Sequence, residues 1–88
     1  MNITQSKVQC RVYYFSVLSQ ITRKREEEIS IKAGSDLQDL LQLLEQRYPE
    51  VKTYTPYIRI AVNQSYTTLD YTPAENDEIA LITPVSGG

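Results

Sequence analysis

The sequence predicts an α+β domain, a mixed sheet of four to five strands with one main helix on one face. Three observations carry that prediction. Apolar residues alternate with period two near both ends of the chain. A single segment in the middle, 35–48, repeats apolar residues at helical spacing. Turn and loop residues separate the segments at short intervals, as in a compact two-layer domain.

The elements follow in order. Residues 1–6 read as a loose lead-in before a domain at 7–83, and 84–88 as a flexible tail. In 7–15, Val8, Cys10, Val12 and Tyr14 alternate with Gln9, Arg11, Tyr13 and Phe15, which predicts a strand. Val17, Leu18 and Ile21 fit a short helical turn within 16–22. Arg23-Lys24-Arg25 followed by Glu26-Glu27-Glu28 reads as a solvated hairpin turn. Ile29-Ser30-Ile31 then alternates as a second strand, paired with the first. Gly34 breaks the chain. Ser35 is positioned as a helix cap, with Gln38 three residues later completing a capping-box pattern. Leu37, Leu40, Leu41, Leu44 and Tyr48 share one face, and Pro49 ends the helix. Residues 57–62 predict a third strand. Asn63-Gln64-Ser65 is a tight turn into a short strand at Tyr66-Thr67. Pro73 to Asp77 is a polar loop, and 78–83 is the final strand.

The order β-β-α-β-(β)-β describes a β-grasp layout, in which the first and last strands can lie parallel at the sheet centre. Val8, Cys10, Val12, Ile29, Ile31, Ile58, Ile60, Val62, Ile79 and Leu81 would then meet the helix. Tyr13, Phe15, Arg59, Ala61, Ala80 and Ile82 would face away. In a small monomer the outer sheet face is usually polar, so an apolar one suggests a docking patch, unless the loops at 16–22 or 63–73 cover it.

Composition excludes much chemistry. The 88 residues contain no His, no Trp and one Cys, with a net charge of −2. Histidine-dependent nucleophile systems, imidazole metal ligands, internal disulfides and thiolate zinc sites are all excluded. No resident metal or cofactor is expected. The slightly acidic balance argues against nucleic acid. No apolar run reaches the ~18 residues of a membrane span, and the first residues do not resemble a signal peptide. A cytoplasmic protein is expected. Cys10, on the core side, is read as an apolar filler.

The ending is the sharpest feature. The chain has three glycines, and two of them, Gly87 and Gly88, are its last residues. A side-chain-free ending directly after a strand can enter a channel too narrow for side chains, and its carboxylate can be activated as an acyl-adenylate. A frayed end is the competing reading of the same residues.

Three segments together resemble the MoaD-type sulfur carriers, the small subunits of molybdopterin synthase within the ubiquitin-like MoaD/ThiS family. They are Ala61-Val62-Asn63-Gln64, then Asp77-Glu78-Ile79-Ala80-Leu81-Ile82, then Pro84-Val85-Ser86-Gly87-Gly88. The resemblance covers roughly residues 7–88. Two positions depart from the family pattern: Ser19-Gln20 stands where an Arg-Glu pair is frequent, and Glu75-Asn76-Asp77 where Asp-Gly-Asp is frequent.

The resemblance implies a carrier that is not an enzyme on its own. A partner resembling ubiquitin-activating enzymes would use ATP to adenylate Gly88, and sulfur transfer would convert it to a thiocarboxylate. The tail would enter the large synthase subunit, typically in a heterotetramer, and deliver sulfur to the cyclic pterin precursor. By resemblance Gly88 carries the sulfur and Gly87 keeps the approach narrow. Phe15, Tyr66, Ile82, Pro84, Val85 and Ser86 would contact partners. Alternatives with the same ending are a carrier for the thiamine thiazole or a sulfur amino acid, a ubiquitin-like protein modifier, and an interaction domain with an inert tail.

Overall fold

A computed structural model describes residues 6–84. Five strands form one sheet in the order β2-β1-β5-β3-β4. They are β1 (Lys7–Tyr14), β2 (Glu26–Lys32), β3 (Arg59–Val62), β4 (Ser65–Thr67) and β5 (Glu78–Ile82). β1 pairs antiparallel with β2 and parallel with β5, so the first and last strands meet inside the sheet, as the alternation allowed. β5 runs antiparallel to β3, and β3 to β4.

One apolar layer lies between the sheet and the main helix, α2 (Leu37–Arg47). Leu37, Leu40 and Leu44 of the helix are fully buried against Cys10, Val12, Ile29, Ile79 and Leu81 of the strands. Each such Leu contributes on the order of 1.5–3 kcal/mol by leaving water. Leu40→Ala would cost about 2–5 kcal/mol, because the rigid sheet beneath cannot collapse into the cavity. A short helix, α1 (Val17–Thr22), adds Leu18 to the same core.

Several boundaries differ from the sequence reading, each for a local reason. The helix cap is Asp36 rather than Ser35, and its box partner is Asp39 rather than Gln38. The Asp36 carboxylate accepts from the Asp39 N–H at 2.9 Å, and the Asp39 carboxylate accepts from the Asp36 N–H at 3.1 Å. Ser35 instead belongs to the turn at Gly34, its N–H donating to the Lys32 carbonyl. Gly34 has φ +92°, which glycine adopts without steric cost.

β2 begins at Glu26, so the glutamate triplet lies in the strand and not in a solvated turn. Glu27 is drawn in by three donors described below. Phe15 lies one residue beyond β1, and Thr83 one beyond β5. Tyr57 is not in a strand. It ends the second of two 3-10 helices, Pro49–Thr53 and Thr55–Tyr57, which connect α2 to β3 and were not foreseen. Pro49 and Pro56 each sit at the start of one, where a missing N–H costs nothing.

Candidate functional site

The strand register assembles the outward face. Tyr13 of β1 stands opposite Ala80 of β5, Ala80 opposite Ala61 of β3, and Ala61 opposite Tyr66 of β4. These four residues form one apolar row across the sheet. Two residues further along the parallel pair come Phe15 and Ile82, the latter opposite Arg59. Phe15 is 47% exposed and Tyr66 68%. Aromatic surface is thus open to solvent at two places on this face.

Both loops are anchored on the helix side of the sheet. The 68–71 loop hydrogen-bonds the first turn of α2, on the opposite side: the Leu37 N–H donates to the Tyr71 carbonyl and the Gln38 N–H to the Leu69 carbonyl. Segment 16–22 sends Leu18 into the core beside Val51.

Two polar networks hold the patch in place. The first surrounds Asp77, a carboxylate buried at the start of β5. It accepts from Asn63 Nδ2 at 2.9 Å, the Tyr71 hydroxyl at 2.6 Å and the Ala74 N–H at 2.8 Å. Desolvation pushes the Asp77 pKa up, but the Ala74 N–H, Tyr71 and Asn63 outweigh it and hold it below its ordinary range. Asn63 also accepts from the Glu78 N–H and donates its own N–H to the Glu78 carbonyl. Asn63 and Gln64 have φ +50° and +74°, a pair of left-handed residues that suits a tight hairpin turn. The motif residues Asn63 and Asp77 are therefore structural. They fix β5 against the β3–β4 turn, and so fix where the chain leaves the sheet.

The second network surrounds Glu27. Its carboxylate accepts from the Tyr14 hydroxyl at 2.5 Å, the Tyr48 hydroxyl at 2.9 Å and Lys24 Nζ at 2.9 Å. Tyr14 and Tyr48 meet edge to face at 6.5 Å. Burial raises the Glu27 pKa, and the donors from Tyr14, Lys24 and Tyr48 bring it below the usual value. The end of β1, the start of β2 and the end of α2 are joined at this one group.

Cys10 is 1% exposed, and its thiol is pushed up to about 11 by burial and then by Asp77 and Glu75. A thiol so protonated is a poor nucleophile. Among the described residues, no three His, Cys, Asp or Glu side chains cluster to hold a metal ion. None of the helices there is long and apolar enough to cross a membrane.

The residues predicted to contact partners thus divide. Phe15, Tyr66 and Ile82 share one face, and Pro84 is exposed at the root of the tail beyond buried Thr83. Val85, Ser86, Gly87 and Gly88 lie outside the described residues. Exposed Tyr57 and Leu69 were not singled out from the sequence. In 57–62 the alternation pattern placed Tyr57 in a strand, and no pattern distinguished Leu69.

A mixed sheet with parallel first and last strands and one crossing helix defines a ubiquitin-like β-grasp protein. Residues 12–88 match the ThiS family, and the chain belongs to that family. It is 35% identical over 83 residues to the human molybdopterin synthase sulfur carrier subunit, covering 91% of this chain and 94% of the relative. SAMP1 from Haloferax volcanii has the same fold, with a TM-score of 0.81 at 23% identity over 91% of this chain and 99% of that one. The chain is also similar to part of the complex of subunits 1 and 2 of the molybdopterin-converting factor from Helicobacter pylori 26695. That match has a TM-score of 0.61 at 29% identity, covering 92% of this chain and 100% of the other.

Proposed function

We propose that this chain is the sulfur-carrier subunit of a molybdopterin synthase, and that its working group is the carboxylate of Gly88. One observation carries the reading. The parallel β1–β5 pair brings Phe15, Ile82 and the root of the tail to the same end of the sheet. An enzyme seated on the patch is therefore also seated where the tail departs.

The chemistry runs through partners. An adenylating enzyme joins the Gly88 carboxylate to the α-phosphate of ATP, releasing pyrophosphate. A sulfur nucleophile then displaces AMP and leaves a thiocarboxylate. Within the large subunit the thiocarboxylate sulfur bonds to a carbon of the pterin precursor and displaces an oxygen leaving group, and water then cleaves the acyl–sulfur bond, which leaves the sulfur on the pterin and returns the Gly88 carboxylate. The carrier supplies no acid, base or metal for these steps, and works in the cytoplasm as one half of each carrier–enzyme pair in a heterotetramer. Gly87 removes the last side chain that a narrow channel would have to admit. Pro84, Val85 and Ser86 are the residues that would meet the entrance of that channel.

Deleting Gly88 tests the reading. With the large subunit, adenylating enzyme, ATP and sulfur donor supplied, the shortened chain should bind the large subunit yet support no molybdopterin formation. Undiminished product would refute it.

A further inference from the structure

We infer that a second contact surface, distinct from the sheet patch, lies on the other side of the tail root and receives an apolar side chain from the large subunit. The inference rests on the carrier reading. The surface is a groove of about 540 Å³ lined by Ser16, Val17, Thr53, Tyr54, Tyr57, Thr83 and Pro84. Four other hollows among the described residues each include a charged side chain, such as Arg59, Glu50, Lys52 or Glu26. This one has none. Its walls are aromatic rings, a valine and a proline, with hydroxyls at the margins. That lining suits an aliphatic or aromatic side chain whose flanking backbone can bond to Tyr or Thr hydroxyls.

Reach, together with the similarity to part of a complex of subunits 1 and 2 of a molybdopterin-converting factor, identifies the occupant. Four residues, 85–88, follow Pro84, and whatever path they take they span at most about 14 Å. An enzyme that reacts at the Gly88 carboxylate must therefore bring its own surface to within that distance of Pro84. A protein body that close to the tail root meets what surrounds it. On one side are Phe15 and Ile82; on the other is this groove, beginning at Thr83 and Pro84 themselves.

The backbone supports the same location. Ser16, which joins Phe15 to the groove, has φ +50° and ψ −126°, a conformation that side-chain-bearing residues rarely adopt. The Leu18 N–H donates to the Phe15 carbonyl at 3.0 Å and closes the turn around it. Strain of this kind is kept where geometry matters. Here it sets the angle between Phe15 on one surface and Val17 on the other.

The test is calorimetric titration of the purified large subunit with the full chain and with Tyr57→Ala and Thr53→Glu. Both positions are exposed, so neither change disturbs the core. Melting temperatures within a degree or two of wild type check this. The expected result is binding weakened at least about tenfold by each variant, as for a residue near the centre of an interface. Wild-type binding with both variants unchanged within about twofold would overturn the groove and leave the carrier reading standing. A wild-type chain that does not bind the large subunit at all would overturn the carrier reading, and this inference with it.

Discussion

Asn63 and Asp77, fourteen residues apart, are joined side chain to side chain at 2.9 Å, Nδ2 to Oδ1. The pair clips the start of the last strand to the hairpin beside it. Both residues belong to segments that resemble a sulfur-carrier motif, yet neither lies on the outward face. Their role is to aim the end of β5, and through it the tail.

Asp77→Ala should lower stability by about 2–3 kcal/mol. It leaves the Tyr71 hydroxyl, the Ala74 N–H and the Asn63 amide without their common acceptor. For a domain of this size the midpoint should fall by roughly 10 °C or more in a thermal melt. A change of a degree or two would show that solvent replaces the carboxylate freely.

Phe15→Asp should leave the melting temperature nearly unchanged, because Phe15 is exposed, and Ile82→Asp, at a half-buried strand position, should lower it modestly without unfolding the chain. Each should weaken binding to the large subunit by at least about tenfold, since a charge desolvated in an interface core is costly. Unaltered affinity in calorimetry would remove the sheet face from the interface.

Glu27 gives a pH dependence with a definite sign. Its folded pKa lies below the ordinary value of 4.5. A depressed carboxylate stabilises the fold fully above its unfolded pKa and loses that contribution as pH falls through the folded one. Glu27→Gln should therefore melt below wild type at pH 7, by an amount matching about 1–2 kcal/mol. The gap should narrow as pH falls below the ordinary carboxylate value and through the lower folded one. A constant gap from pH 7 to pH 3 would show that the charge contributes nothing.

Cys10 should resist alkylation in the folded chain at pH 8 and react fully after denaturation, because burial both shields it and keeps it protonated. Mass spectrometry after iodoacetamide treatment reads this directly. Rapid labelling of native protein would indicate an opening in the core beneath β1.

Alternation made the sheet and its two faces legible, because a strand's side chains must point up and down in turn. The Val8–Tyr14 run located both the core residues and the Phe15 side of the patch. The Leu37–Leu44 spacing located the helix. What alternation could not show was partnership among polar residues. Glu27 looked like one of three solvated charges. Only the fold brings Tyr14, Tyr48 and Lys24 around it. The cap slipped by one residue because Ser35 and Asp36 are both good caps. Asp39 decides for Asp36 by answering its N–H. Residues 49–56, with two prolines and no periodicity, gave no pattern to read, and Tyr57 was drawn into the next strand; Tyr54 and Tyr57 form two walls of the groove.

The most direct test of the carrier reading is the intact mass of the chain after incubation with its adenylating enzyme, ATP and a sulfur source. A sulfur carrier gains the mass of one oxygen-to-sulfur exchange, and the gain disappears when Gly88 is deleted. An unchanged mass, with the enzyme shown to be competent on another carrier, would contradict it.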